Sequence, residues 1–254
     1  MRSLSFDERV RITRFLNLAE NDSGLAETDY KTIYLYSDGN KGRKQVTLAR
    51  GFTQDGGNLG KVLDRYVSLG GSRASFLNPY IKKMGDGNLY KDTDFLKTLS
   101  ACAVEVAMQK AQDEIFEECY INPALEWATK NGFVRSLSIA VIVDSFLHSG
   151  KIPPFLQAKF KEKTPSNGGE EKAWIFQYLV ARFNWFSSSK GILRSCVFRP
   201  KFFLEQIATI SKVSSDAKLP KIGSLGGKEW ELSSLGNWAF ACPLTIAEKG
   251  KICG

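Results

Sequence analysis

The stretch LSIAVIVDSFL, Leu137–Leu147, is the longest apolar run in the 254-residue chain. A helix that is apolar on all sides packs at the centre of a protein, so the run predicts a central helix over residues 135–149. It is too short to cross a bilayer, which takes about 20 apolar residues. It also carries Asp144, and a buried carboxylate is costly without a cationic partner. We therefore expect Asp144 to lie in a buried ion pair.

Helical patterns surround this central segment on both sides. SFDE, Ser5–Glu8, is a capping box, and it predicts the start of an amphipathic helix over residues 6–20. The helix runs into the turn-forming residues NDSG at 21–24. Apolar spacing and flanking Gly or Pro residues indicate the other helices. These helices are predicted within residues 57–71, 73–84, 94–119, 122–132, 171–187 and 198–213.

The β structure is predicted near the N-terminus. Ile33–Tyr36 and Val46–Ala49 are rich in β-branched and aromatic residues, and SDGNKGRK, Ser37–Lys44, forms a turn between them. This pattern predicts a hairpin or a small three-stranded sheet. The fold class is therefore mainly α (α+β).

We expect residues 1–254 to form a single domain with two helical lobes, separated by the small sheet. A cleft between the lobes would then be the natural place for a substrate. Residues from about 214 to 254 are rich in Gly, Pro and Lys, and they indicate an irregular tail packed on the domain.

Composition narrows the range of partners. The chain holds 35 Lys and Arg against 27 Asp and Glu, a formal net charge of +8, which favours anionic partners such as nucleic acid, anionic lipid or a cell-wall polymer. The N-terminus lacks the apolar segment of a signal peptide, and no run is long enough for membrane insertion. The five cysteines show no zinc spacing and His148 is the single histidine, so we predict no metal and no cofactor. Buried thiols are the simplest interpretation of the cysteines, and a Cys242–Cys253 disulfide is the alternative in an oxidising compartment.

The carboxylates of Glu20 and Asp38 are candidate catalytic groups. Glu20 ends the first helix, where a negative charge opposes the helix dipole, and apolar neighbours would add to the preference for a protonated acid. Asp38 follows in an exposed turn that also carries Lys41, Arg43 and Lys44, which favour a charged carboxylate. One protonated and one ionised carboxyl group are what glycoside hydrolysis requires. Ordinary surface positions for both residues are the alternative.

The sequence around this pair resembles the chitosanases of glycoside hydrolase family 46, which belong to the lysozyme superfamily. AEN at 19–21, YKTI at 30–33 and the DG that starts at Asp38 are similar to the catalytic segment of that family. AQDEIFEECYINPALEWATKNGF at 111–133 and VDSFLHSG at 143–150 are similar to its central helices. YLVAR at 178–182 and RPKFFLEQI at 199–207 form a third, weaker block.

The resemblance implies a role for each matching residue. Glu20 would be the general acid, Asp38 the general base, and Thr47 would help to place the attacking water. Asp144, Arg182 and Arg199 would form a buried charge network behind the acid. A purely structural ion pair is the alternative for Asp144.

The expected substrate is a polysaccharide, which Tyr30, Arg43 and Asn58 would help to bind. In the family, an aspartate at the start of the helix after the hairpin binds the free amine of the substrate. This position falls on Asn58 here, with Asp55 nearby but out of register. A neutral amide and a net charge of +8 both favour peptidoglycan over cationic chitosan. Peptidoglycan is therefore the predicted substrate and chitosan the alternative. A non-enzymatic nucleic-acid-binding module is a further alternative, but no nucleic-acid motif is found.

A wall hydrolase without a visible signal needs a route to its substrate in the periplasm or cell wall. Phage-type release and delivery by a secretion system, with an immunity protein as partner, both fit the sequence. A domain of a larger exported protein fits as well.

Overall fold

The computed structural model describes residues 3–20 and 28–207. In chain order its helices and strands are α1 (Phe6–Glu20), β1 (Ile33–Tyr36), β2 (Gln45–Leu48), β3 (Phe52–Thr53), α2 (Leu59–Ser68), α3 (Ala74–Ile81), α4 (Thr93–Cys102), α5 (Val106–Phe116), α6 (Asn122–Lys130), α7 (Ser136–Ser149), α8 (Pro154–Gln157), α9 (Glu171–Ser188), α10 (Ile192–Ser195) and α11 (Phe198–Ile207). Short helical turns lie at Asn40–Gly42, Leu89–Lys91, Glu117–Ile121 and Pro165–Asn167. The described chain is mainly helical with one small sheet, which confirms the predicted fold class.

Two compact units divide the chain. The first, which we call the helical unit, comprises the residues up to 27 and from 120 onward, of which 3–20 and 120–207 are described. The second, which we call the sheet unit, comprises residues 28–119.

Helix α7 is the core of the helical unit, as its sequence predicted. Every residue from Leu137 to Phe146 is buried, and α7 packs against α1, α6 and α9. The helix ends at Gly150, whose φ of 70° lies in the left-handed region and whose N–H donates to the carbonyl of Phe146 at 2.8 Å. A glycine adopts that conformation without steric cost, so the sequence stops the helix at this point.

Helix α1 is fixed at its start by its own cap and along its length by aromatic packing. Ser5 N donates to Glu8 Oε2 at 2.9 Å and Glu8 N donates to Ser5 Oγ at 3.2 Å, which confirms the capping box. Phe15 packs on Phe202 and Phe203 of α11, with ring centroids 4.9 and 4.8 Å away. These contacts hold the last turns of α1 against the helix that carries Arg199.

The sheet unit contains an antiparallel sheet in the order β1-β2-β3. The central strand β2 is buried at all four positions. In the β1–β2 register, Gln45 lies opposite Tyr36 and Thr47 lies opposite Tyr34. Side chains alternate along a strand, so Gln45 and Thr47 lie on the same face of β2.

One predicted helix of the sheet unit is wrong. Residues 94–119 do not form a single helix, because α4 ends at Cys102 and α5 begins at Val106. Glu105 has extended backbone between them, and its carboxylate accepts hydrogen bonds from Tyr66 Oη at 2.8 Å and Arg73 Nη1 at 2.6 Å. These bonds to the α2–α3 region outweigh the helical preference of the local sequence.

Several predictions lie wholly or partly outside the described residues. They are the turn at 21–24, the tail over 214–254, the last residues of the helix predicted to reach 213, and the Cys242–Cys253 disulfide. Within the described part Cys102, Cys119 and Cys196 form no disulfide bond. None of the helices in residues 3–20 and 28–207 has the length and apolarity needed to cross a membrane.

We predict that Ile142→Ala destabilises the protein by about 2–5 kcal/mol, because Ile142 is fully buried in α7 and the substitution leaves a cavity. Chemical denaturation followed by circular dichroism measures the change. Val134→Ala is the control, since Val134 is 66% exposed and surface changes stay within about 0.5 kcal/mol. Equal stability of the two variants would contradict the central position of α7.

Candidate active site

Glu20 is the last residue of α1, and its side chain is 23% exposed. It lies against the cation of Arg199. Arg199 Nη2 donates to Glu20 Oε1 and, at 3.2 Å, to the carbonyl oxygen of Ala19. The guanidinium therefore satisfies a carbonyl at the helix end and supplies the positive charge that a helix C-terminus favours.

A buried charge network continues behind this contact. Arg199 Nη1 donates to Asp144 Oδ1 at 2.5 Å, and Arg182 Nη1 donates to Asp144 Oδ2 at 2.5 Å. The side chains of Asp144 and Arg182 are 0% exposed and that of Arg199 is 3% exposed. Four helices, α1, α7, α9 and α11, thus supply one connected set of charges.

Burial and charge act in opposite directions on this network. Burial alone would raise the pKa of Asp144, but the charges of Arg182 and Arg199 outweigh it and hold that pKa below its ordinary value. Burial alone would lower the pKa of Arg199, but Glu20 and Asp144 outweigh it and raise the pKa. Asp144 is therefore a buried carboxylate kept ionised by two cations.

His148 lies close to the same network without joining it. Burial, and then the charges of Arg199 and Arg182, lower its pKa to about 3. Its ring contacts Phe186 and Trp185, with centroids 5.1 and 6.5 Å away. His148 is therefore a neutral packing residue at neutral pH.

Asp38 belongs to the sheet unit and follows β1 in an exposed position. Its Oδ1 accepts a hydrogen bond from Gln45 Nε2 at 2.9 Å. Its second oxygen, Oδ2, has no hydrogen-bond partner in the part of the chain that the structure describes. One oxygen of the carboxylate is thus held while the other is left for a ligand or water.

Thr47 sits in the middle of β2, on the face that also bears Gln45. Its side chain is buried, and Oγ1 has no hydrogen-bond partner among residues 3–20 and 28–207. Buried hydroxyls nearly always have a partner, so this hydroxyl is a candidate to bind a water molecule.

The three residues expected to bind substrate lie in different surroundings. Arg43 Nε donates to Asp55 Oδ2 at 2.6 Å, and Arg43 Nη2 donates to the carbonyl of Gly85 at 3.1 Å. The hydrogen bond from Arg43 lowers the pKa of Asp55. Arg43 is therefore neutralised by Asp55 and offers no spare positive charge.

Tyr30 is also engaged within its own unit. Its hydroxyl donates to the carboxylate of Asp113, 2.9 and 3.0 Å from the two oxygens, and Arg50 lies over its ring. Burial, reinforced by Asp113, raises the pKa of Tyr30. Asn58, the third residue, stands at the N-terminal boundary of α2, as its sequence context predicted.

The structure thus groups the predicted site residues by unit. Glu20, Asp144, Arg182 and Arg199 form one contiguous network in the helical unit. In the sheet unit Asp38 is linked to β2 through Gln45, a residue that sequence reasoning missed. The alternation QVTL in β2 was the available signal, since it places Gln45 and Thr47 on one face. Within the described residues no cluster of three or more His, Cys, Asp or Glu side chains could hold a metal ion.

Comparison with known proteins gives consistent matches. The model of glycosyl hydrolase family 46 matches residues 14–191. A chitosanase of Streptomyces sp. (strain N174) is 28% identical over 176 residues, which cover 65% of this chain and 61% of that protein. A chitosanase of Bacillus subtilis (strain 168) is 24% identical over 195 residues, which cover 71% of this chain and 68% of that protein. The match to the Streptomyces protein therefore spans less than two thirds of its length.

Solved structures share the fold. The native chitosanase of Bacillus subtilis MY002 gives a TM-score of 0.67 at 21% identity, with 79% of this chain and 88% of that chain covered. A Gynuella sunshinyii GH46 chitosanase, solved with chitotetraose, gives a TM-score of 0.68 at 19% identity, with 80% and 89% covered.

We predict that Asp144→Asn destabilises the protein by about 3–5 kcal/mol at pH 7, because it leaves two buried arginines without a counter-charge. A lowered pKa in the folded state gives stability above the unfolded pKa, about 3.9, which is lost as the pH falls through the folded pKa. The difference from wild type should therefore shrink below about pH 3.9. Urea unfolding at several pH values measures it.

Asp64→Asn, at an exposed position of α2, is the control and should change stability by no more than about 0.5 kcal/mol. A destabilisation by Asp144→Asn that is the same at every pH would contradict an ionised Asp144.

Proposed function

Because the chain belongs to glycosyl hydrolase family 46, we propose that it is an endo-acting glycoside hydrolase that cleaves the β-1,4 bonds of chitosan. The observation that carries the proposal is the buried Arg182–Asp144–Arg199 network, which reaches the surface at the carboxylate of Glu20. A structural ion pair needs no partly exposed carboxylate at its end, whereas a general acid does.

Glu20 is the proposed general acid. When it donates its proton to the glycosidic oxygen, a carboxylate remains, and Arg199 already directs an N–H at Glu20 Oε1. Asp144 holds that guanidinium from behind, so the donor needs no rearrangement during the reaction. A donor fixed in advance where charge develops is a large source of transition-state stabilisation.

Asp38 is the proposed general base. Gln45 holds its Oδ1, and the remaining oxygen can accept a proton from water. Thr47 is the proposed second ligand of that water, because its buried hydroxyl lacks a partner among the described residues. Attack by this water on the face opposite the leaving group is a single displacement and inverts the anomeric centre.

Chitosan replaces peptidoglycan as the favoured substrate. The relatives reported above are chitosanases, and they favour the alternative over the peptidoglycan that Asn58 and the net charge suggested. The expected immunity protein and delivery machinery depended on the peptidoglycan interpretation, so we do not propose them as partners of a chitosan hydrolase. Asn58 stays a proposed substrate contact, whereas we assign Tyr30 and Arg43 to holding the sheet unit together.

Glu20→Gln and Asp38→Asn should each lower the rate of reducing-end release from chitosan by about 10²–10⁴-fold, since each removes one partner of general acid–base catalysis. The assay compares equal amounts of folded protein. Glu126→Gln, at an exposed position of α6, is the control and should keep the wild-type rate. A Glu20→Gln variant as active as wild type would refute the assignment of the acid.

Digestion of chitosan and of purified peptidoglycan side by side, with mass spectrometry of the fragments, tests the substrate. We expect glucosamine oligomers from chitosan and no soluble fragments from peptidoglycan. The reverse result would restore the peptidoglycan interpretation and reject this proposal.

The stereochemistry of the product tests the mechanism. Proton NMR of a fresh digest should show α-anomeric ends first, with the β-anomer rising later by mutarotation. β-anomers at the earliest times would indicate retention and would contradict single displacement.

A further inference from the structure

Gln45 connects the proposed general base to the rest of the sheet unit. Gln45 is buried, with 3% of its surface exposed, whereas Asp38 is exposed. Its amide nitrogen Nε2 donates to Asp38 Oδ1 at 2.9 Å, and its amide oxygen Oε1 accepts from the backbone N–H of Asp55 at 2.8 Å. One buried amide thus joins the turn that follows β1 to the loop that follows β3.

Asp55, whose backbone N–H holds the amide oxygen of Gln45, is itself fixed by hydrogen bonds. The carboxylate of Asp55 accepts from Arg43 Nε at 2.6 Å and from the backbone N–H of Asn40 at 2.9 Å. Close packing continues at Gly39, where a Cβ would lie 2.5 Å from Asp55 Oδ2. The loop that holds Gln45 is therefore tied to the same turn that carries Asp38.

The direction of the two hydrogen bonds sets the amide orientation. A backbone N–H can only donate, so the atom facing Asp55 must be the amide oxygen of Gln45. The NH₂ group then faces Asp38, and it can only donate to that carboxylate. The arrangement places an N–H on Asp38 Oδ1 and leaves Oδ2 for water.

We propose that Gln45 is a positioning residue for Asp38. The inference rests on the proposed function, in which Asp38 is the general base. The buried amide selects one orientation of an otherwise exposed carboxylate, so that the reactive oxygen is in place before water binds. Such orientation lowers the barrier of the chemical step more than it alters substrate binding.

Gln45→Met tests the proposal, because it removes both hydrogen bonds and keeps a side chain of similar length. We expect the kcat of this variant to be about tenfold lower than that of wild type, which corresponds to an activation free energy about 1.4 kcal/mol higher. Its KM should stay within about twofold of the wild-type value. Rates on chitosan are measured per folded protein, with the folded fraction determined by circular dichroism.

Gln54→Met is the matched control. Gln54 is a buried glutamine of the same unit, and among the described residues its amide bonds two backbone groups, Val46 N at 3.3 Å and the carbonyl of Asp86 at 2.6 Å. It should lose stability as Gln45→Met does and keep a kcat within about twofold of wild type. Equal kcat values for the two methionine variants would overturn the proposal.

Gln45→Glu covers the case in which Gln45→Met does not fold. A glutamate retains the oxygen that accepts from Asp55 N, but an ionised carboxylate has no hydrogen to donate to Asp38. Its kcat should also fall about tenfold. Burial beside Asp38 raises the pKa of a glutamate at this position, so kcat is measured up to about pH 9. A kcat that equals the wild-type value at every pH would overturn the proposal.

A double variant separates positioning from general structural damage. In the background of Asp38→Asn the base is absent, so Gln45→Met should lower the residual rate by less than about twofold. A further tenfold loss would assign Gln45 a merely structural role. If Asp38→Asn alone retains the wild-type rate, the assignment of Asp38 as the general base fails and the Gln45 inference fails with it. If the wild-type chain does not cleave chitosan, the proposed function itself fails, and this result is distinct from failure of the Gln45 inference.

Discussion

The bridge that Arg199 forms between two carboxylates is the interaction on which the proposed acid depends. One guanidinium binds the buried carboxylate of Asp144 and the partly exposed carboxylate of Glu20. An arginine can do this because its N–H donors form a rigid fork, whereas a lysine offers one point charge. The packing of Phe15 on α11 serves the same end, because it fixes the helix that carries Arg199 against the end of α1.

The two proposed catalytic carboxylates are held by different physical means. Glu20 is held by charge, within a network that contains two cations and two carboxylates. Asp38 is held by a neutral amide in a small sheet. The difference suits the two tasks. An acid benefits from a cation that stabilises the carboxylate it becomes, whereas a base would lose reactivity if a cation occupied its lone pairs.

Local signals predicted the elements of this fold well, and they failed where distant residues decide. The capping box, the end of α1 at Glu20 and the strands β1 and β2 follow from neighbouring residues, so the sequence was sufficient. The break before Val106 depends on Tyr66 and Arg73, which lie more than 30 positions away from Glu105. The contact between Glu20 and Arg199 spans 179 positions, so local sequence showed an unfavourable helix end where the fold supplies a cation.

Net charge is a weak guide to the proposed substrate for a related reason. The formal value of +8 counts every basic residue equally. Several arginines are already matched with carboxylates within their own units: Arg43 with Asp55 and Arg50 with Asp113 in the sheet unit, and Arg182 and Arg199 with Asp144 in the helical unit. Paired charges largely cancel at the distance of a bound ligand, so they add little to the potential that a substrate experiences. Asp38 meanwhile presents a carboxylate at an exposed position, held by a neutral partner. A cationic polysaccharide is therefore compatible with a basic chain, because the local arrangement of charge decides recognition and the total does not.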